Sequence, residues 1–247
     1  DPREAARLVG LAQARGAVAG TVSQRRCEPA HRHLAALLAQ GALGRLRLIE
    51  ADVHWHRSDA YYAERDWRRQ TAQGGGSLAN QGVHSLDLML FLAGPVTHVS
   101  ASAATLGHDI PVEDYTASLL AFAGGAQGVL VTTTAAPPGR PAGLRLFTDR
   151  GACALEQETV THWDFPGVAP PPAPSAAGSG ASDPKAIGVA GHIAQWTDFR
   201  DAVRERRAPA ITFADGCAAA RVCAAIYRSA AEGRRVALSE FPEQIAP

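Results

Sequence analysis

The chain has 247 residues, 46% hydrophobic and 19% charged, with 24 basic side chains balancing 24 acidic ones. A neutral chain of this kind offers no electrostatic footprint for nucleic acid or an anionic membrane, and no apolar run approaches the roughly 20 residues of a membrane-spanning helix. Its cysteines, Cys27, Cys153, Cys217 and Cys223, form no CxxC pair and are too sparse for a disulfide framework. They read as reduced thiols, which makes the cytoplasm the expected compartment.

Residues 1–15 predict a helix: Asp1 suits an N-cap, Pro2 suits the first helical position, and Leu8, Val9, Leu11 and Ala12 form an apolar face. The apolar run 17–22 then predicts a buried parallel strand. Gln24-Arg25-Arg26 follow it directly, where open α/β sheets place ligand contacts. A solvated basic edge is the equal alternative. Pro29 opens a helix reaching about residue 40. Alternation over 45–57 predicts a long strand, with Leu46, Leu48, Glu50, Asp52 and His54 on one side and Ile49, Ala51, Val53 and Trp55 on the other.

The stretch 58–73 breaks this pattern with Tyr61, Tyr62, Trp67 and Arg68, either a recognition surface or a loop pinned to the core by its aromatics. Gly74-Gly75-Gly76 allow a tight turn or a close backbone approach. A helical pattern follows: Leu78, Val83, Leu86, Leu90 and Phe91 share an apolar face, while Asn80, His84 and Asp87 recur at helical spacing on a polar one. Spacing alone leaves a pocket lining and an ordinary solvated face evenly matched.

Downstream, runs at 96–106, 115–122, 127–134, 144–148, 152–156 and 159–165 are rich in β-branched and small apolar residues. Gly124-Gly125, Pro137-Pro138-Gly139 and Arg150-Gly151 separate them, which predicts a mostly antiparallel meander. The proline-rich stretch 166–184 predicts a mobile loop, and Lys185, the only lysine, lies just beyond it. Helices over 192–206 and 215–232 and a short edge strand at 236–238 complete the prediction.

There is no HExxH and no Cys/His cluster, so no metal is expected at His54-x-His56 or His31-x-His33. GxSxG, GxGxxG and the P-loop signature are also absent. What remains is an ordered set: Gln24-Arg25-Arg26, Tyr62 with Trp67-Arg68, the glycine triplet with Asn80, Gln81, His84 and Asp87, Val112-Glu113-Asp114, His162 to Phe165, and Tyr227-Arg228-Ser229. Together these resemble the glucose–fructose oxidoreductase / inositol dehydrogenase (Gfo/Idh/MocA) family, and within it the sugar and nucleotide-sugar dehydrogenases.

That resemblance implies an α/β fold of the α+β type, an open, mostly antiparallel sheet with helices on one face. Residues 1–27 would be the C-terminal remnant of an NAD(P)-binding Rossmann domain, and 28–247 the substrate and oligomerisation domain. The glycine fingerprint and the family's Glu-Lys-Pro lysine would lie upstream. His84 matches the family histidine, while Asn80 stands where many members have Asp; the two are the expected catalytic residues. An amide cannot take a proton, so Asn80 would orient substrate or ring and His84 is the expected acid/base, with an ordinary pKa of about 6.5. Tyr62, Asn80 and Gln81 are the expected substrate contacts, and Gln24, Trp67 and Arg68 the cofactor contacts. The implied activity is oxidation of a sugar, nucleotide-sugar or cyclitol CH–OH by NAD or NADP, in a homo-oligomer joined through the sheet face. The alternatives are an NAD-assisted glycoside hydrolase or lyase on the same scaffold, or a non-catalytic oligomerisation module.

Overall fold

In the computed structural model the described residues are 2–174, 180–182 and 188–241. Lys185 and residues 175–179 and 183–184 of the proline-rich stretch expected to be mobile lie outside them. Eight strands form one open sheet: β1 (Leu46–His54), β2 (Val96–Ala104), β3 (Tyr115–Phe122), β4 (Gln127–Thr133), β5 (Gly143–Thr148), β6 (Ala152–Glu156), β7 (Thr159–Asp164) and β8 (Val236–Ala237). Their order across the sheet is β7-β6-β5-β1-β4-β3-β2-β8. Only β1 and β4 run parallel; every other neighbouring pair is antiparallel. The Gly124-Gly125 turn closes the β3–β4 hairpin, with Gly125 at φ 88°.

The alternation read in the sequence decides which side of the sheet is covered. Ile49, Leu120, Leu130, Leu146 and Leu155 point to one face and meet α2 (Pro29–Ala39), α4 (Val83–Ala93) and α6 (Phe213–Glu232) through Leu34, Leu86, Met89, Val222 and Ile226. Burying each such side chain contributes about 1.5–3 kcal/mol, which makes this single layer the main source of stability. The opposite face stays open, with Leu119 62% exposed and Phe147 37% exposed. A reciprocal capping box between Thr212 and Asp215 starts α6, and Gly233 in the left-handed region ends it.

α1 (Pro2–Ala14) forms as the sequence predicts and packs on α6. The run 17–22 does not become a strand. Among the described residues its only ladder contact is an isolated bridge between Gly20 and Thr212, because no strand lies alongside to take its backbone groups. No helix of the described residues is long and apolar enough to cross a membrane.

Candidate active site

The glycine triplet is built for close approach. A Cβ on Gly75 would lie 2.6 Å from the Arg68 carbonyl oxygen, and Gly76, at φ 100°, would place one 2.5 Å from Glu113 Oε1. Glu113 is what the second contact serves. Its carboxylate accepts from the Ser77 amide (2.8 Å), the Ser77 hydroxyl (2.6 Å), the Leu78 amide (3.0 Å) and the Tyr227 hydroxyl (2.6 Å). The orphan amides at the start of the motif helix thus find a buried anion, and burial raises the Glu113 pKa despite those bonds. The first turns, Ser77–Gly82, are π-helical before α4 begins. A π turn widens the repeat, so Asn80 and Gln81 leave the line that α-helical spacing would draw through His84 and Asp87.

The two amides turn toward the aromatic loop. Asn80 Nδ2 donates to the Tyr61 hydroxyl at 3.0 Å and Gln81 Nε2 to the same oxygen at 3.2 Å. The Arg68 guanidinium lies 3.8 Å from the centre of the Tyr61 ring and is anchored by Glu64 and the Tyr61 carbonyl, both at 2.6 Å. Trp67 is partly exposed, 5.8 Å from that guanidinium. Tyr62 points elsewhere: it is 3% exposed, its hydroxyl sits 2.6 Å from Thr134 Oγ1, and burial pushes its pKa up to about 12. Consecutive residues of the short helix α3 (Asp59–Ala63) diverge by roughly 100°, so only one tyrosine can face the amides. The structure brings Tyr61 there and sends Tyr62 into the core. The sequence names both tyrosines in the aromatic loop but carries no signal that Tyr61, rather than the expected contact Tyr62, faces the amides.

Gln24, Arg25 and Arg26 form a 3-10 turn, Gln24–Cys27, and all three are buried, against the solvated-edge alternative. Arg26 reaches both Asp87 oxygens at 2.6 and 2.8 Å and Asp215 at 2.9 Å. Asp87 therefore fixes α4 to the turn. Arg25 donates to Gln157 Oε1 at 2.8 Å and Ser85 Oγ at 3.3 Å. Beside Ser85, the half-buried His84 imidazole has its pKa pushed down to about 4, first by burial, then by the positive charge of Arg25, with a further electrostatic contribution from His192. The ordinary histidine value expected from sequence does not survive this environment, and His84 is neutral throughout the physiological range.

A domain model described as the GFO/IDH/MocA C-terminal domain matches residues 31–154, half of the chain. The chain belongs to the Gfo/Idh/MocA family of oxidoreductases. A trans-1,2-dihydrobenzene-1,2-diol dehydrogenase of Bos taurus is 31% identical over 130 residues, covering 51% of this chain and 36% of that enzyme. The fold resembles the WlbA dehydrogenase of Bordetella pertussis, solved with NADH and UDP-GlcNAcA, at a TM-score of 0.81 and 24% identity over 94% of this chain and 67% of that one. The Chromobacterium violaceum WlbA dehydrogenase, solved with the same two ligands, gives 0.80 and 25% over 93% and 65%. The match to the curated bovine relative thus spans about a third of its length.

Proposed function

We propose that this Gfo/Idh/MocA chain is the substrate-binding and catalytic half of an NAD(P)-dependent oxidoreductase acting on the CH–OH group of a sugar, nucleotide sugar or cyclitol. The observation that carries the reading is the junction at residues 77–84, where two amides tied to Tyr61 precede a neutral, half-buried imidazole. Asn80 and Gln81 hold substrate hydroxyls. His84 accepts the proton of the reacting hydroxyl as the carbinol carbon gives up its hydride and becomes a carbonyl carbon.

The residues present fit part of a dinucleotide site. Gln24 Oε1 and Gln81 Oε1 are buried acceptors without a partner among the described residues, and each suits an incoming N–H or O–H donor such as a carboxamide or a sugar hydroxyl. When bound, NAD or NADP supplies the hydride acceptor. Gln24 with Trp67 and Arg68 would border it, and residues 1–27 would be the end of the domain that holds it. The open sheet face around Leu119 and Phe147 would pair with a second copy of the chain.

The test uses the protein with any upstream domain in place, assayed for NAD(P)H formation over a panel of sugars and nucleotide sugars. His84→Ala is expected to lower kcat by about 10²–10⁴-fold. Unchanged turnover would remove His84 from the proton step, and no net NAD(P)H with any CH–OH substrate would overturn the oxidoreductase reading.

A further inference from the structure

Arg25 is 9% exposed, and both hydrogen bonds its guanidinium makes go to uncharged oxygens, those of Gln157 and Ser85. Among the described residues no carboxylate forms an ion pair with it. Burial lowers its pKa, and Glu28 and Glu158 oppose that only through space. Glu28 itself lies 2.9 Å from His31 Nδ1. Arg26 shows what the same turn does with a cation it intends to neutralise, supplying it with Asp87 and Asp215. A buried cation held by neutral groups is costly unless an anion joins it. A guanidinium also carries more N–H donors than two bonds use, in a planar fork that matches a carboxylate.

The place is as telling as the charge. Ser85, which accepts from Arg25, directly follows His84 on α4, and Gln24, with its orphaned Oε1, precedes Arg25 on the turn. Gln157, the other support, sits in the β6–β7 turn at φ 54°, a left-handed conformation that non-glycine residues seldom adopt. Three separate elements therefore converge to hold one unpaired guanidinium beside the imidazole.

We propose that Arg25 determines substrate class at this site by taking a carboxylate carried on the sugar-like substrate. This rests on the oxidoreductase reading only for the word substrate; the anion site itself does not. The consequence for His84 follows from charge. The groups that lower its proton affinity are Arg25 on the 3-10 turn and His192 on α5 (Ala190–Glu205), and Glu28 and Glu158 lie around Arg25. A bound carboxylate offsets the Arg25 charge, so His84 becomes a stronger base when the correct substrate is in place and stays a weak one when the site is empty.

The experiment is an NMR titration of the His84 ring, assigned with His84→Gln, in residues 1–247 at matched ionic strength. The probes are D-glucuronate, D-glucose and inorganic phosphate. Glucuronate is expected to raise the His84 pKa by about one unit or more, a tenfold gain in proton affinity, while glucose and phosphate leave it in place. Arg25→Gln is expected to raise the unliganded value and abolish the glucuronate response. No response to glucuronate, an equal response to phosphate, or a glucuronate response that survives Arg25→Gln would each overturn the proposal. Should Arg25→Gln not fold, the wild-type titrations and Arg25→Lys decide. Failure of hydride transfer in the whole protein with the glucuronate response intact would sink the oxidoreductase reading and leave the anion site standing; turnover of uncharged sugars without that response would do the reverse.

Discussion

Arg25 and Arg26 share a turn and a depth of burial, yet their surroundings differ in kind. Arg26 is closed off by both oxygens of Asp87, one of Asp215, and the Phe91 ring 5.2 Å away. Arg25 has an amide oxygen and a hydroxyl. The first arrangement satisfies a charge completely and has nothing left to offer a ligand. The second leaves a charge partly satisfied next to a titratable imidazole. The family framework and the candidate site are thus separated by one residue of sequence, and electrostatic completeness distinguishes them.

Removing the closed cation should cost the most. Arg26→Ala strands Asp87 inside the protein, and a loss of about 3–5 kcal/mol in urea unfolding is expected. Arg25→Gln abandons no carboxylate and should cost about 1 kcal/mol or less beyond its two hydrogen bonds. Equal losses for the two variants would erase the contrast.

Acid should sharpen it next. His84 binds a proton near pH 4 when folded and near its ordinary 6.5 when unfolded, so the unfolded chain takes up more protons between those values. Stability contributed by neutral His84 is fully present above pH 6.5 and is lost as pH falls toward 4, by on the order of 1–3 kcal/mol. His84→Gln should flatten that part of the pH–stability curve. A slope unchanged by the substitution would assign it to other groups.

The smallest effects separate the two tyrosines. Tyr62→Phe leaves Thr134 Oγ1 without its 2.6 Å partner and should cost about 1 kcal/mol of stability with no change in KM. Tyr61→Phe removes the oxygen shared by Asn80 and Gln81, so KM should rise several-fold with stability nearly unchanged. The opposite pattern would place the substrate at Tyr62.

Much of the fold was legible because local pattern determines it. Alternation over Leu46–His54, the Gly124-Gly125 hairpin and the stripes of α2 and α6 each follow from residues near in sequence. What was not legible depends on distant partners. The π turn at Ser77–Gly82 is held by Glu113, 36 positions away from Ser77, and nothing in the helical spacing announces it. Choosing Tyr61 over Tyr62 required the Arg68 guanidinium and the Thr134 hydroxyl. The run 17–22 carried strand composition but met no neighbouring strand. Motif and family pattern single out Asn80, Gln81 and His84 as candidates, whereas the depressed pKa of His84 required the burial and the Arg25 charge to be seen.

The position of β1 has a kinetic consequence. Strands β5 to β7 form one antiparallel block and β2, β3, β4 and β8 another, and the two touch only through β1. The partners of β1 emerge long after it does, since Ile49 pairs with Gly128 on one side and Leu146 on the other. During synthesis the β2–β4 meander can therefore assemble from neighbouring segments while β1 waits with both edges bare, and uniting the blocks is a long-range step of the kind that slows folding. Because β1 runs on into Trp55, Arg57 and the Tyr61 loop, the approach to the candidate site would be among the last regions to acquire native order.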